Sequence, residues 1–518
     1  MSSPDLEYNN LSELISKNAL KYPDKPVIFF KDSIFTYSKV EEIVRHTAGV
    51  LYKNGVRFGD RVAILLENSP DFIFAYISIA KIGAVAVPTN VFLKELEIAA
   101  NLNDCSASYI ITSNTFAERI NQLPKLMLDL KKVFTFTKAT FDSVVITTAE
   151  AELKPIKVNK DDLAMVLYTS GTTGKSKGAM LTHNNFISNA ASFSKAAVLR
   201  HDDRMLLLLP MFHATSLTGC INCLFIHGGS IIIMESILEV NRAEYPKVLE
   251  RLKPTLLVGV PALYSTLAKV KHAGEIRESF PFRLCMCGGA PLPEEIINRF
   301  KTVYNTVILE GYGLSEASPV IAFNPIAKQK IGSIGLPIDG VKVRIVDDYG
   351  NDLPANTPGE LIAKGPNITK GYWGQEDETE KVLKDGWLYT GDIATKDKEG
   401  YLYIIDRKKD LILVKGMNLY PREVEELLYK YNGVISAAVV GVPDGEGSEI
   451  PVAYLKLDPA ENITIDGIKA YLRHNLASYK VPRYITVTDD IPLNAGGKVV
   501  KRALKERATE EHKTRLLK

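Results

Sequence analysis

The chain has 518 residues, 46% of them hydrophobic and 24% charged, and its 63 lysines and arginines against 61 aspartates and glutamates leave a formal net charge of +2. That length calls for two or more domains with ample mass for a large core. The charge balance excludes the electrostatic footprint of a nucleic-acid or anionic-membrane binder, so small-molecule chemistry is expected.

The first ten residues are polar and lack the apolar centre of a secretory signal, which leads to a cytoplasmic expectation. The spacing predicts a helix opening at Phe35 to Lys39 and running to about Tyr52. A buried strand Arg61 to Leu66 follows, and Ser69-Pro70-Asp71 caps a second helix, Phe72 to Ile82, ended by Gly83. Ala84 to Pro88 is the next strand, a helix spans about Leu93 to Leu102, and Tyr109 to Thr112 and Val133 to Phe136 complete the series. Alternation of this kind predicts a largely parallel sheet covered on both faces.

The apolar strand Leu163 to Leu167 runs into Tyr168-Thr-Ser-Gly-Thr-Thr-Gly-Lys-Ser-Lys-Gly178. Gly171 and Gly174 permit backbone conformations in which successive N–H groups converge on an anion. Thr169, Ser170, Thr172 and Thr173 add hydroxyl donors, and Lys175 and Lys177 add charge. Such a loop suits phosphate. Its end, Gly174-Lys175-Ser176, matches a Walker A loop, but that motif needs a glycine five positions before Gly174, where Thr169 stands.

Gly178 to Thr182 then forms a short strand, and Thr182 is placed to cap a helix beginning at His183. The uncharged run Met205 to Met234 is long enough to span a bilayer, yet Pro210, His213, Asn222, His227, Gly228 and Gly229 interrupt it, so a buried strand-helix-strand passage is expected. Cys220 and Cys223 lie inside this run with no second pair at zinc spacing, which favours core packing. The odd total of five cysteines suits reduced thiols. Strands at Leu256 to Val260, Leu284 to Cys287 and Thr306 to Leu309 end at turns, the last two at Gly288-Gly-Ala-Pro-Leu292 and Glu310 to Glu316. Ligands in open α/β sheets collect beyond strand C-termini, so these turns are expected to face one cleft.

From Gly332 the texture becomes short β-type runs such as Val341 to Val346 and Gly359 to Ala363, a smaller β subdomain. The charged run Asp406-Arg-Lys-Lys-Asp410 marks the main boundary. Beyond it α+β texture resumes, with a helix Glu423 to Tyr431, a strand Ala437 to Val440 and a helix Ile468 to Leu476.

With these residues in view, the chain resembles the adenylate-forming superfamily of acyl-CoA synthetases, peptide-synthetase adenylation domains and firefly luciferase. Five signatures carry the resemblance in family order: Tyr168 to Gly178, Gly311-Tyr-Gly-Leu-Ser-Glu316, Tyr389-Thr-Gly-Asp392, Asp406-Arg-Lys-Lys-Asp-Leu-Ile412 and Asn494-Ala-Gly-Gly-Lys498. The resemblance implies an α/β N-terminal adenylation domain over residues 1–406, its 332–406 part β-rich, a hinge at 407–410 and a mobile α+β C-terminal domain over 411–518. It implies a two-step reaction with ATP, Mg²⁺ and coenzyme A. A carboxylate attacks the α-phosphorus of ATP to give acyl-AMP and pyrophosphate, and a thiol then attacks the acyl-adenylate. Both steps need charge stabilisation more than an acid-base pair.

Residue by residue, the resemblance assigns Thr169 to Lys177 to the β- and γ-phosphates and Glu316 to Mg²⁺, with Ser315 standing where many members carry Thr. Gly289, Ala290, Pro291 and Tyr312 would frame adenine, within a nucleotide site that also takes in Glu310, Gly311, Gly313, Leu314 and Ile404. Asp392 would accept from both ribose hydroxyls, and Arg407 would lie near ribose and phosphate. Lys409 falls at the hinge, where lysine is common among fatty acyl-CoA synthetases. Lys498 matches the lysine that contacts the substrate carboxylate and α-phosphate, and Lys415 and Gly416 fall at the pantetheine tunnel. His213, Val258, Gly259, Gly288, Gly313 and Pro319 would border the acyl pocket, whose small and apolar residues suit a fatty or aromatic acid.

The expected function is ATP-dependent ligation of a medium- or long-chain fatty acid to CoA, by a monomer or homodimer with no integral membrane segment. Two other classes stay open. One is an adenylating enzyme that passes an acyl or aryl group to a carrier protein or oxidises it, or an aryl-CoA ligase; the other is a nucleotide-binding regulatory protein or P-loop phosphotransferase, which would yield ADP in place of AMP.

Overall fold

The computed structural model describes residues 8–136, 156–169, 176–236, 239–240, 245–269, 282–444, 448–493 and 499–516. The strand-helix alternation of the first half builds two sheets. One is six-stranded, in the order Lys132–Phe136, Tyr109–Ser113, Arg61–Leu65, Val85–Pro88, Leu163–Thr169, Lys177–Thr182. Its neighbours are parallel except for the last two strands, which form a hairpin with Thr169 opposite Lys177. The other is nine-stranded, with a parallel centre of Ile308–Gly313, Leu284–Cys287, Leu256–Gly259, Arg204–Leu207, Ser230–Ile233 and Pro26–Phe30 and an antiparallel margin at each end. The helix Pro70–Lys81 is apolar on nearly every side and buried along most of its length, as a helix packed between layers must be. It shares one core cluster with strands of both sheets.

Local chemistry sets most of these boundaries. Thr182 caps the helix His183–Ala196 by accepting from the Asn185 N–H, and the Asn185 amide returns the bond to the Thr182 N–H. At Ser69 the expectation needs correction: Pro70 starts the helix, but the Ser69 hydroxyl makes no cap bond and donates to the Glu67 carbonyl at 3.3 Å. A second correction concerns Glu310 to Gly313, which the sequence placed in a turn. They continue the strand Ile308–Gly313 because Val320–Phe323 pairs with them, Gly311 opposite Phe323. Tertiary pairing here overrides the low strand propensity of glycine. The approach is close enough that a Cβ on Gly313 would lie 1.9 Å from the Pro319 carbonyl oxygen.

The β subdomain is a five-stranded antiparallel sheet around the long strand Trp387–Lys396, flanked by Gly359–Lys364 and Leu402–Arg407. A 3₁₀ turn, Lys408–Asp410, leads to the hairpin Ile412–Val414 with Met417–Leu419. Its two-residue loop, Lys415 at φ 50° and Gly416 at φ 78°, has the double left-handed form that suits a twisted hairpin. The remaining chain packs a three-stranded sheet, Val434–Pro443, Glu449–Leu457 and Tyr484–Val487, against the helices Pro421–Lys430, Ile465–Asn475 and Lys501–Leu516, with its own two small cores. It is tied to the β subdomain by Arg422, whose N–H donates to Asp406 at 2.9 Å and whose guanidinium donates to the Ile404 carbonyl at 2.6 Å.

The run Met205 to Met234 is the expected buried passage, with a π-helical stretch Thr215–Asn222 leading into the helix Cys223–His227. All five cysteines are buried and free, and burial pushes the Cys220 thiol up to about 12. Among the described residues, no helix is long and apolar enough to cross a membrane.

Candidate active site

The strand ends of both sheets, the β subdomain and the hinge turn enclose a cavity of about 970 Å³. From the six-stranded sheet come Thr169, Ser176 and Lys177; from the nine-stranded sheet come Val258, Gly288, Gly289 and the run Gly311 to Glu316. Arg407, Lys408 and Lys409 close the side at the 3₁₀ turn Lys408–Asp410. The turns expected to face one cleft do so, because parallel strands deliver their C-terminal loops to one edge.

Tyr312 and Arg407 converge on Asp392. The Tyr312 hydroxyl donates to one carboxylate oxygen, and Arg407 Nε lies 3.2 Å from the other. Asp392 is held there by the strand Trp387–Lys396, with Gly391 in left-handed geometry before it. Burial, reinforced by this carboxylate, pushes the Tyr312 hydroxyl up, so it stays a donor. In the 3₁₀ turn, burial first and the Arg407 charge second lower the Lys409 ammonium.

A second cluster surrounds Lys177. Its ammonium pairs with the Glu378 carboxylate and lies 5.1 Å above the Tyr372 ring, and the Tyr372 hydroxyl donates to Glu316 Oε1 at 2.9 Å. Hydrogen bonds from Lys177 and Lys381 hold the Glu378 carboxyl down at about 2. Thus one tyrosine links the carboxylate expected to hold metal with the lysine expected to hold phosphate. Tyr372, Glu378 and Lys381 were not singled out in the sequence. Their place depends on pairing between residues about 190 apart, the Met180 N–H donating to the Gly371 carbonyl and the Trp373 N–H to the Gly178 carbonyl.

The cavity lining also includes His213, Val258, Gly288, Gly313 and Pro319, together with Phe193, Thr215, Gly219, Val320 and Phe323. His213 Nδ1 lies 3.1 Å from the Thr215 hydroxyl.

Several expected residues are not on the wall. Gly259, Ala290, Pro291, Asp392 and Ile404 do not line it, and Ile404 gives its carbonyl to Arg422. Glu310 is buried away from the cavity, accepting from the Gly332 N–H at 3.3 Å, and burial raises its carboxyl to about 7 despite the nearby Arg422 charge. Lys415 and Gly416 sit at their hairpin tip, where the Lys415 N–H donates to Ser448 at 2.7 Å. Ser170, Gly171, Thr172, Thr173, Gly174, Lys175 and Lys498 lie outside the described residues. Among the described residues, none beyond Lys409 lines the cavity.

Known proteins share this fold. Residues 15–373 match the family model of the AMP-binding enzyme, and residues 423–498 match the AMP-binding enzyme C-terminal domain. A long-chain-fatty-acid–CoA ligase from Bacillus subtilis is 33% identical over 98% of this chain and 96% of its own length. A feruloyl-CoA synthase from an Amycolatopsis species is 34% identical over 95% of this chain and 97% of its own. The crystal structure of an anthranilate CoA ligase in complex with anthranoyl-AMP superposes with a TM-score of 0.92 at 26% identity, covering 99% of this chain and all of the other. The chain belongs to the AMP-binding enzyme family, as an acyl-CoA ligase of the adenylate-forming superfamily.

Proposed function

We propose that the chain joins an apolar carboxylic acid, a medium- or long-chain fatty acid, to coenzyme A at the cost of ATP, with AMP and pyrophosphate as products. The observation that carries this reading is the division of one cavity wall into two chemistries. A polar half gathers Thr169, Lys177, Glu316, Tyr312 and Arg407, the last two meeting at Asp392, which lies off the lining itself. An apolar recess, formed by Phe193, Val258, Met286, Val320 and Phe323, carries no charged side chain.

In the first step Asp392 accepts from the ribose hydroxyls and Arg407 offers its guanidinium to ribose and phosphate, which orients the α-phosphorus toward the recess. Lys177 and the loop before it stabilise the charge that develops on the leaving pyrophosphate. The Glu316 carboxylate, one tyrosine from Lys177, is an oxygen donor of the kind Mg²⁺ takes; bound there, the ion would neutralise phosphate charge. Lys498, carried by the C-terminal domain, contacts the acid carboxylate and the α-phosphate. Rotation about Lys409 then withdraws it and brings Lys415 and Gly416 to the thiol entrance. Five buried, free cysteines suit a cytoplasmic setting.

An aryl acid is the second reading, favoured by the edge-to-face aromatic pair in the recess. The deciding experiment measures pyrophosphate release over fatty acids of increasing length and benzoate-like acids, with and without CoA. Acid-dependent AMP formation with acyl-CoA as product is expected; ADP as product, or indifference to CoA, would refute the proposal.

A further inference from the structure

We infer that Phe193 and Phe323 form the blind end of the acyl recess and limit this chain to aryl acids and fatty acids of medium length. The inference rests on the ligase reading above and narrows it.

Phe193 comes from the helix His183–Ala196 and Phe323 from the strand Val320–Phe323. Their rings meet edge to face, centroids 5.2 Å apart at 87°, and both line the cavity. With 4% and 3% of their surface exposed, what lies behind them is core and not solvent, so the recess has no exit there.

The wall is also held in place. Asn189, one helical turn before Phe193, donates to the Val320 carbonyl at 2.7 Å and accepts from the Val320 N–H at 3.1 Å, clasping helix to strand. On the neighbouring side the Thr218 hydroxyl donates to the Ser318 carbonyl at 2.6 Å, tying the π-helical stretch to the same strand's approach. Phe323 rests against the backbone of Gly311, where a Cβ would lie 3.0 Å from its ring. Close-packed interiors do not yield by small increments, so each methylene that fits adds about fourfold in affinity, while an acid too long for the recess cannot seat its carboxylate at the α-phosphorus.

Gly219 is the complementary feature. It faces the cavity one turn beyond Thr215, and a Cβ there would meet Phe193 and Thr215 only at 3.9 Å, ordinary contact distance. A Cβ at this position therefore needs no displacement of the backbone, and a longer side chain built on it takes up room in the recess.

The test is the chain-length profile of kcat/KM, from butanoate to palmitate plus benzoate, for the full-length enzyme with ATP and CoA. Wild type is expected to peak at medium length and to fall at least tenfold by palmitate. Phe193→Ala and Phe323→Ala should move the peak to longer acids, and Gly219→Leu should move it to shorter ones. Thermal melts establish which variants are folded; should both alanine variants unfold, the direction of the Gly219→Leu shift decides. Equal use of octanoate and palmitate by wild type, or folded variants with unshifted profiles, overturns the end wall while leaving the ligase reading intact. Failure of wild type to turn over any acid refutes both.

Discussion

Replacing Glu310 with Gln should remove a pH-dependent loss of stability that the wild-type chain carries. The Glu310 side chain is 5% exposed, and burial raises its carboxyl from 4.5 to about 7, partly offset by Arg422. In the unfolded chain the group ionises near its ordinary value, so a raised folded value means the stabilisation is complete below pH 4.5 and is lost as pH rises toward 7. Over that window unfolding releases a proton, and each pH unit removes roughly 1.4 kcal/mol. The full loss is about 3 kcal/mol. Glutamine keeps an acceptor for the Gly332 N–H, which donates to Glu310 at 3.3 Å, but has nothing to ionise. The assay is the denaturant midpoint of wild type and Glu310→Gln at half-unit steps from pH 4.5 to 8.5, the difference between the two curves cancelling every other titrating group. The variant should match wild type near pH 4.5 and exceed it progressively to pH 7, with a constant difference above. A flat difference across the range, or a variant less stable at pH 8 than at pH 5 relative to wild type, refutes the assignment.

Three further outcomes are expected. Lys498→Ala should abolish acyl-AMP formation while thioesterification of supplied acyl-AMP continues; equal loss of both half-reactions would contradict the division of labour between the domains. Asp392→Ala removes the acceptor of both Tyr312 and Arg407, and should raise the KM for ATP about 10- to 100-fold, read from initial rates at saturating acid. Phe300→Ala, at a fully buried ring 5.1 Å edge-to-face from Tyr264, should cost about 3–5 kcal/mol of stability by chemical denaturation without changing the acid-length profile.

Those predictions draw unequally on what the linear chain shows. The motifs at Glu316 and Asp392 were readable because each places its chemistry within a few adjacent residues, as does the donor-rich loop around Gly171 and Gly174, which lies outside the described residues. Strand-helix alternation was legible for the same reason, since periodicities of 2 and 3.6 are local. Even the Thr182 cap needs only the residue three positions on.

The structure decided the rest. Division into two sheets, the extension of Ile308–Gly313 through its glycines, and the withdrawal of Glu310 from the site all depend on which strands become neighbours. The pairing of Lys177 with Glu378 and the meeting of Phe193 with Phe323 join residues more than 100 apart. A side-chain pattern states which face of a strand or helix will be buried. It does not state against what, because that choice is made by packing energies summed over distant segments. The sequence by itself therefore determined the family, whose signatures reside in short motifs, while the shape of the cavity was decided by tertiary structure, because its walls come from separate elements that meet only in the folded core.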